Sequence, residues 1–225
     1  MGELGASLAH EINQPLTAIL NNVQAARRLL LAENADVEEV RETLADVVQD
    51  TNRASEVILH LRALVRKEEP HHILLDAGDL VRGVVPLVRS DAILRHSRVS
   101  LAITPGLPPV RGDRIQLQQV VLNLLLNAFE AMKDRPTHER EVVLRVEPDG
   151  AQSVRVAVRD RGVGLGADTV DRIFQPFFTT KSAGLGMGLS ISRSIIESHA
   201  GKLRAENNQD QGATFSFTLP VGKQT

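Results

Sequence analysis

Apolar residues recur along the first third of the chain at spacings that alternate between three and four. Ile12, Leu16, Ile19, Val23, Ala26 and Leu30 form one series; Val37, Val40, Leu44, Val47, Thr51, Ala54, Ile58, Leu61 and Val65 form the next. This is the period of an amphipathic helix, and the second series is a heptad seam with Thr51 and Ala54 as its weak members. The polar break Ala32-Glu33-Asn34-Ala35-Asp36 separates the two. Asp36 is placed to cap the second helix, with Glu38 and Glu39 near the positive end of its dipole. Two long helices joined by a short loop predict a hairpin. One hairpin buries a single stripe per helix, so the pattern predicts two hairpins packed as a four-helix bundle, a homodimer. The alternative, a bundle closed within one chain, lacks a third long heptad segment.

The pattern changes after Lys67-Glu68-Glu69-Pro70, which sets the expected domain boundary: residues 1–69, then 70–225. His71 and His72 lack a third ligand at a recognisable spacing and read as a solvated linker. Beyond them, 73–75 reads as a strand, Asp79 to about Arg95 as a helix and Val99–Thr104 as a strand. Pro105-Gly106-Leu107-Pro108-Pro109 is a turn cluster. Asp113 opens a strong helix to about Met132. Glu141–Glu147 and Ser153–Arg159 alternate as antiparallel strands, a late helix covers roughly Met187–His199, and two strands close the chain near Lys202–Glu206 and Ala213–Leu219. Strands and helices are segregated, so the expected class is α+β.

Composition narrows the chemistry. A net charge of -2 and an aromatic content of 3%, without Trp or Tyr, supply neither the basic field nor the stacking platforms of a nucleic-acid binder. The absence of cysteine removes disulfides, thiol catalysis and thiolate metal sites. No apolar run reaches the roughly 20 residues of a membrane span. Helix-patterned sequence follows Met1 at once, without a signal peptide, so the natural N-terminus is expected upstream.

Several stretches carry chemistry. His10 lies about 200° around the helix from Ile12, away from the seam, with Glu11 beside it and Gln14 one turn on. Pro15 removes the backbone bond to Glu11 and is expected to kink or loosen the helix there. His10 alone reads as a plain surface histidine. On the helix from Asp113, the residues Gln116, Gln119, Asn123, Asn127 and Glu130 form a polar stripe. A solvated face explains it, yet two asparagines four apart are poor helix formers, and amide oxygens can ligate a hard cation such as Mg²⁺. Asp160-Arg161-Gly162-Val163-Gly164-Leu165-Gly166 follows a strand, so backbone can approach a ligand closely there, and Asp160 can accept from an exocyclic amine. Its spacing is neither that of a dinucleotide-binding turn nor that of a phosphate loop. Ile173–Lys181 holds three of the six phenylalanines. Gly184-Leu185-Gly186-Met187-Gly188-Leu189 then opens onto the late helix, whose N-terminus can hold phosphate. Gly212-Ala213-Thr214-Phe215 begins the last strand, with Thr214 able to help Asp160 read a base.

Together these stretches resemble the boxes of a sensor histidine kinase catalytic core, in the family's order and over about residues 5–220. His10-Glu11-Ile12-Asn13-Gln14-Pro15-Leu16 is similar to the histidine box of the oxygen- and dicarboxylate-sensing subgroup. Asn123–Asn127, Asp160–Gly166, Phe174–Phe178, Gly184–Gly188 and Gly212–Thr214 match the boxes of the ATP-binding domain. The resemblance implies a dimeric four-helix bundle followed by an α/β-sandwich of the gyrase, Hsp90 and histidine-kinase type. It implies ATP and Mg²⁺ as cofactors, a homodimer, and a response-regulator receiver domain as partner. It also implies a sensor domain lying outside this chain, and a cytoplasmic kinase core whose full-length protein can be membrane-anchored.

Residue by residue, the resemblance makes His10 the phosphoryl acceptor, Glu11 the base for its proton, and Gln14 the residue that orients water for dephosphorylating the regulator. Asn127 becomes the Mg²⁺ ligand, with Asn123 assisting at the phosphates. Asp160 reads the adenine amine with Thr214, beside Gly162 and Gly164. Gly184, Gly186 and Gly188 let the lid backbone cover the phosphates. One departure matters: a cation that many members carry just after the second asparagine is replaced by Ala128-Phe129-Glu130, which leaves Lys181 or Arg172 to substitute. Related ATPases keep a hydrolytic glutamate four residues before the metal asparagine, and that position is Asn123 here. This favours transfer over hydrolysis. An ATP-binding scaffold or an ATPase without histidine phosphorylation remains the alternative.

Overall fold

The computed structural model describes residues 2–31, 36–48, 50–51, 72–166, 169–170, 172–180 and 186–222, with side chains in the first helix from Gln14 onward. The seam positions Ala54, Ile58, Leu61 and Val65, the linker through His71, and the site candidates Lys181 and Gly184 lie outside the described residues, as do the side chains of His10 and Glu11. The chain forms two compact units, one holding Met1–Glu68 and the other Glu69–Thr179 with Leu185–Thr225.

In the first unit α1 (Gly2–Leu30) is unbroken at Pro15. The proline therefore does not end the helix, although it removes one backbone donor. Helix α2 occupies 37–48 and continues at 50–51. Asp36 Oδ1 accepts the backbone N–H groups of Glu38 at 2.9 Å and Glu39 at 3.4 Å, as a cap should. Asn22 Nδ2 donates to Asp50 Oδ2 at 3.4 Å, which folds α2 back along α1. Ala26 and Val40 are buried. The neighbouring seam residues Leu16, Val23, Leu30, Val37 and Leu44 keep 44% to 66% of their surface in water.

The second unit is one mixed sheet covered by helices on one face. Strands β2 (Arg98–Ile103), β4 (Glu141–Asp149), β5 (Ser153–Arg159), β6 (Lys202–Asn207) and β7 (Ala213–Pro220) take the order β2-β4-β5-β7-β6. The β2–β4 pair is parallel and the rest are antiparallel. Two three-residue strands, β1 (Ile73–Leu75) and β3 (Val110–Gly112), pair beside the sheet. The segment expected as one helix from Asp79 to Arg95 is three pieces. They are α3 (Ala77–Val84), a 3₁₀ stretch Val85–Val88 containing Pro86, and α4 (Arg89–Leu94). The missing N–H of Pro86 explains the change of winding. Helix α5 (Arg114–Ala131) is capped by Asp113, whose Oδ1 accepts from Ile115 and Gln116 at 2.9 and 3.1 Å. Helix α6 (Gly188–Ser198) completes the layer.

Alternation along each strand sends one side of the sheet under the helices. Val142, Leu144, Val146, Val154, Val156, Val158, Phe215, Phe217 and Leu219 meet Leu117, Val120, Val121, Leu124, Leu125 and Phe129 of α5 in one core. That packing fixes α5 by its apolar face and leaves its polar stripe turned away from the sheet.

Candidate active site

Asp160 directly follows β5 and is only 2% exposed. Its Oδ1 accepts two backbone N–H groups, from Gly162 at 2.8 Å and Ala213 at 3.1 Å. Its own N–H donates to the Ala213 carbonyl at 2.9 Å, so the end of β5 and the start of β7 are tied through the same residue. Burial pushes the carboxyl above its usual range, and the two N–H groups pull against that rise without cancelling it. Gly212 supplies the room. It sits at φ +79, and a Cβ there would lie 2.3 Å from the Asp160 carbonyl oxygen. Asn208 Nδ2 reinforces the corner by donating to the same carbonyl at 2.9 Å.

Thr214 reaches this corner only through Asn208. Its hydroxyl donates to Asn208 Oδ1 at 2.6 Å, and it lines a cleft of about 330 Å³ on the outer sheet face with Arg145, Arg155, Arg159 and Glu206. The period of two along β7 explains this placement: Ala213 belongs to the core, so Thr214 must face the other way. The residue that meets Asp160 from β7 is Ala213, through its backbone.

The α5 stripe faces α6 at Asn123. Its Nδ2 donates to Ser192 Oγ at 3.0 Å, and a Cβ on Gly188 would come within 2.6 Å of its Oδ1. Gly188, the first residue of α6, must therefore be a glycine for Asn123 to keep its place, and Asn123 lies against a helix N-terminus. Asn127, one turn further, is half-buried and already engaged within the fold. Glu130 is clamped by Arg95 Nη1 and Lys133 Nζ, each at 2.9 Å. Burial pushes its carboxyl up, but the bonds from Lys133 and Arg95 outweigh that and hold it below its usual value.

Gly162 and Gly164 follow Asp160. A Cβ on Gly162 would meet the Ala131 carbonyl at 2.6 Å, and one on Gly164 would meet Asn207 Oδ1 at 2.9 Å. Gly186 lies against the backbone of Phe177 and Phe178. Phe174 and Phe178 pack on the core, while Phe177 is 74% exposed at φ +65. Arg172 holds its guanidinium 4.5 Å from the Phe178 ring centre, so one of the two cations considered for the phosphates is stacked on the aromatic cluster. His72, expected in a solvated linker, instead stacks on His199 with ring centres 4.7 Å apart. Ser192, His199, Asn208 and Ala213 were not legible as site neighbours. Only Ser192, four residues after Gly188 on one helical face, carried a usable signal.

On the first unit, His10, Glu11 and Gln14 share α1 just before Pro15, and Gln14 is exposed and engaged within the fold. Among the described residues no helix is long and apolar enough to cross a membrane.

Two family models match the chain. Residues 1–70 match the His Kinase A (phospho-acceptor) domain, and 112–223 match the histidine kinase-, DNA gyrase B- and HSP90-like ATPase. The sensor protein FixL of Bradyrhizobium diazoefficiens is 39% identical over 225 residues, which is all of this chain but 44% of that protein. The chain thus spans less than half the length of that curated relative. The solved catalytic domain of histidine kinase ThkA is 32% identical with a TM-score of 0.60, covering 67% of this chain and 96% of that one. The structure of ThkA in complex with the response regulator protein TrrA aligns with 98% of this chain and 62% of that one, at 26% identity and a TM-score of 0.69. Acceptor-type helices in one unit and an ATPase-type sheet with a buried Asp160 corner in the other carry the same conclusion as the matches: the chain belongs to the histidine kinase family.

Proposed function

We propose that this chain is the ATP-dependent core of a two-component kinase that phosphorylates His10 and passes the phosphoryl group to a response-regulator aspartate. The observation that carries the reading is the pairing, in one chain, of an acceptor-type helix bearing His10 and an ATPase-type site whose stripe offers the amide of Asn123 where a hydrolytic carboxylate would stand. An amide cannot take a proton from water, so the site favours transfer to a histidine over hydrolysis.

The residues fit ATP. Asp160, fixed at Oδ1 by Gly162 and Ala213, offers its other oxygen to an exocyclic amine. Gly162, Gly164, Gly186 and Gly188, with Gly184, let backbone lie close to the ligand. The start of α6 beside Asn123 suits phosphate. Asn127 offers a neutral amide oxygen, which suits Mg²⁺ taking its remaining ligands from phosphates. The cation would neutralise charge on those phosphates. Lys181 serves as the counter-charge that Arg172, stacked on Phe178, does not. In the transfer, an imidazole nitrogen of His10 bonds to the γ-phosphorus, the bond from that phosphorus to the bridging oxygen breaks, and ADP leaves. Glu11 takes the ring proton. Bringing His10 to the nucleotide requires the two domains, 1–69 and 70–225, to move as separate bodies.

The exposed seam of Leu16, Val23, Leu30, Val37 and Leu44 supports a homodimer, because two hairpins would cover it. A receiver domain docks beside His10, where Gln14 orients water for the reverse, phosphatase reaction. The ThkA–TrrA complex supports a partner of this class. A radiolabelled chain should pass its label to a receiver domain and lose it as the receiver gains it. A His10→Ala chain that binds ATP yet labels the receiver equally well would sink the reading.

A further inference from the structure

His199 closes α6 with a ring that is 3% exposed. Its Nε2 accepts the backbone N–H of Asp113 at 2.9 Å. Its Nδ1 lies 2.7 Å from the Ile195 carbonyl, which can only accept, so the proton sits on Nδ1 and the ring is neutral. One imidazole thus joins the C-terminal end of α6 to the N-terminal cap of α5. There is no slack: a Cβ on Gly112 would lie 2.8 Å from His199 Cδ2 and 2.7 Å from Leu117 Cδ1. These are the two helices that present Asn123, Asn127, Ser192 and Gly188. Their relative position is set at the far end by a hydrogen bond that exists in one protonation state only.

His72 covers the exposed side of that ring. The two imidazoles stack at 4.7 Å with 29° between their planes, and His72 Nε2 is buried with no hydrogen-bond partner among the described residues. A neutral Nε2 can bear this. A protonated one would place an unpaired N–H against the His199 ring and a positive charge near Arg111, with Asp113 as the opposing charge among the described residues. Ring and charge therefore conflict at this position, immediately before β1.

We propose that His72 and His199 form a protonation-gated latch that positions α5 against α6 for nucleotide binding. Neutral His72 clamps His199 in the tautomer that accepts from Asp113. Protonated His72 leaves the stack, His199 loosens, and Asn123 and Gly188 lose their fixed spacing. The surroundings favour the neutral form: burial, then the Arg111 charge, lower the His72 pKa below its ordinary value of 6.5, against the pull of Asp113. A group whose pKa is lowered in the docked state contributes fully above its undocked pKa, and the contribution is lost as pH falls below it. The latch therefore weakens below 6.5. The proposal rests on α5 and α6 holding ATP.

The test titrates the complete chain with ATP by calorimetry from about pH 8 to about pH 5.5, beside His72→Phe, and follows ligand-free urea stability in parallel. Phenylalanine keeps the stack and cannot protonate. The variant should match wild type near pH 8, and the wild-type affinity should then fall relative to it by up to about tenfold per pH unit below 6.5. Protonation of ATP and of the other histidines is common to both chains and cancels in the ratio. A ratio that stays constant across the range overturns the latch. If His72→Phe does not fold, His72→Gln replaces it, with lower affinity at every pH and the same loss of pH dependence. If wild type binds no ATP at any pH, the reading of the function fails, and the stability ratio still decides the latch: it too must change below 6.5.

Discussion

Asp160→Asn separates what this residue does for the fold from what it does for ATP. In the folded protein Oδ1 accepts from Gly162 and Ala213, and asparagine keeps an acceptor at that place. The fold should therefore survive. The sign of the charge effect follows from the raised carboxyl. A carboxyl whose pKa is higher folded than unfolded contributes stability that is present below the unfolded value of 3.8 and lost as pH rises through the folded one. Above the unfolded value the carboxyl therefore burdens the fold, and asparagine removes that burden. Ligand-free stability at pH 7 should equal or exceed wild type in urea unfolding followed by circular dichroism. Binding should suffer, because the second position becomes an N–H₂ facing the adenine amine. A lost acceptor plus a donor left buried and unmatched costs about 2–3 kcal/mol, a weakening of roughly 30- to 150-fold in the ATP dissociation constant. Calorimetric titration with ATP reads this directly. A variant that binds ATP as wild type does, or one whose stability falls along with its affinity, would refute the argument.

Three further perturbations probe the rest of the machinery. Gly188→Ala would press a methyl group 2.6 Å from Asn123 Oδ1, and the displacement should weaken ATP binding by roughly tenfold, with circular dichroism unchanged. Glu130→Gln should cost about 1 kcal/mol near neutral pH in urea unfolding, since Arg95 and Lys133 hold a partly buried carboxylate. Its lowered pKa means this contribution is present above 4.5 and lost as pH falls through the folded value, so the two unfolding curves should converge in acid. Gln14→Ala should slow removal of phosphate from the regulator while sparing labelling of His10, measured as two separate time courses.

Much of the second unit is legible in the sequence because its signals are local. Asp113 announces α5 by its cap, the β4–β5 hairpin by alternation around Gly150, and the nucleotide corner by glycines that follow a strand. What escapes depends on register or on distance along the chain. Thr214 and Ala213 differ by one residue, and only the pairing of β7 decides which side chain faces the core. Strand β3 is three residues long, too short for a period to be visible. Pro86 breaks the expected helix into three because the apolar period runs through it while the backbone bonding does not. His72 meets His199 at a separation of 127 positions, and no spacing rule reaches that far.

Transfer to His10, rather than to water, is the central claim. The direct measurement incubates the chain with γ-labelled ATP and Mg²⁺, splits the product between acid and alkali, and maps the label by mass spectrometry under alkaline conditions. The account predicts label that survives alkali, is lost in acid and maps to His10, and is absent from a His10→Ala chain that still binds ATP. Steady release of inorganic phosphate with no protein-bound label, or equal labelling of the His10→Ala chain, would contradict it.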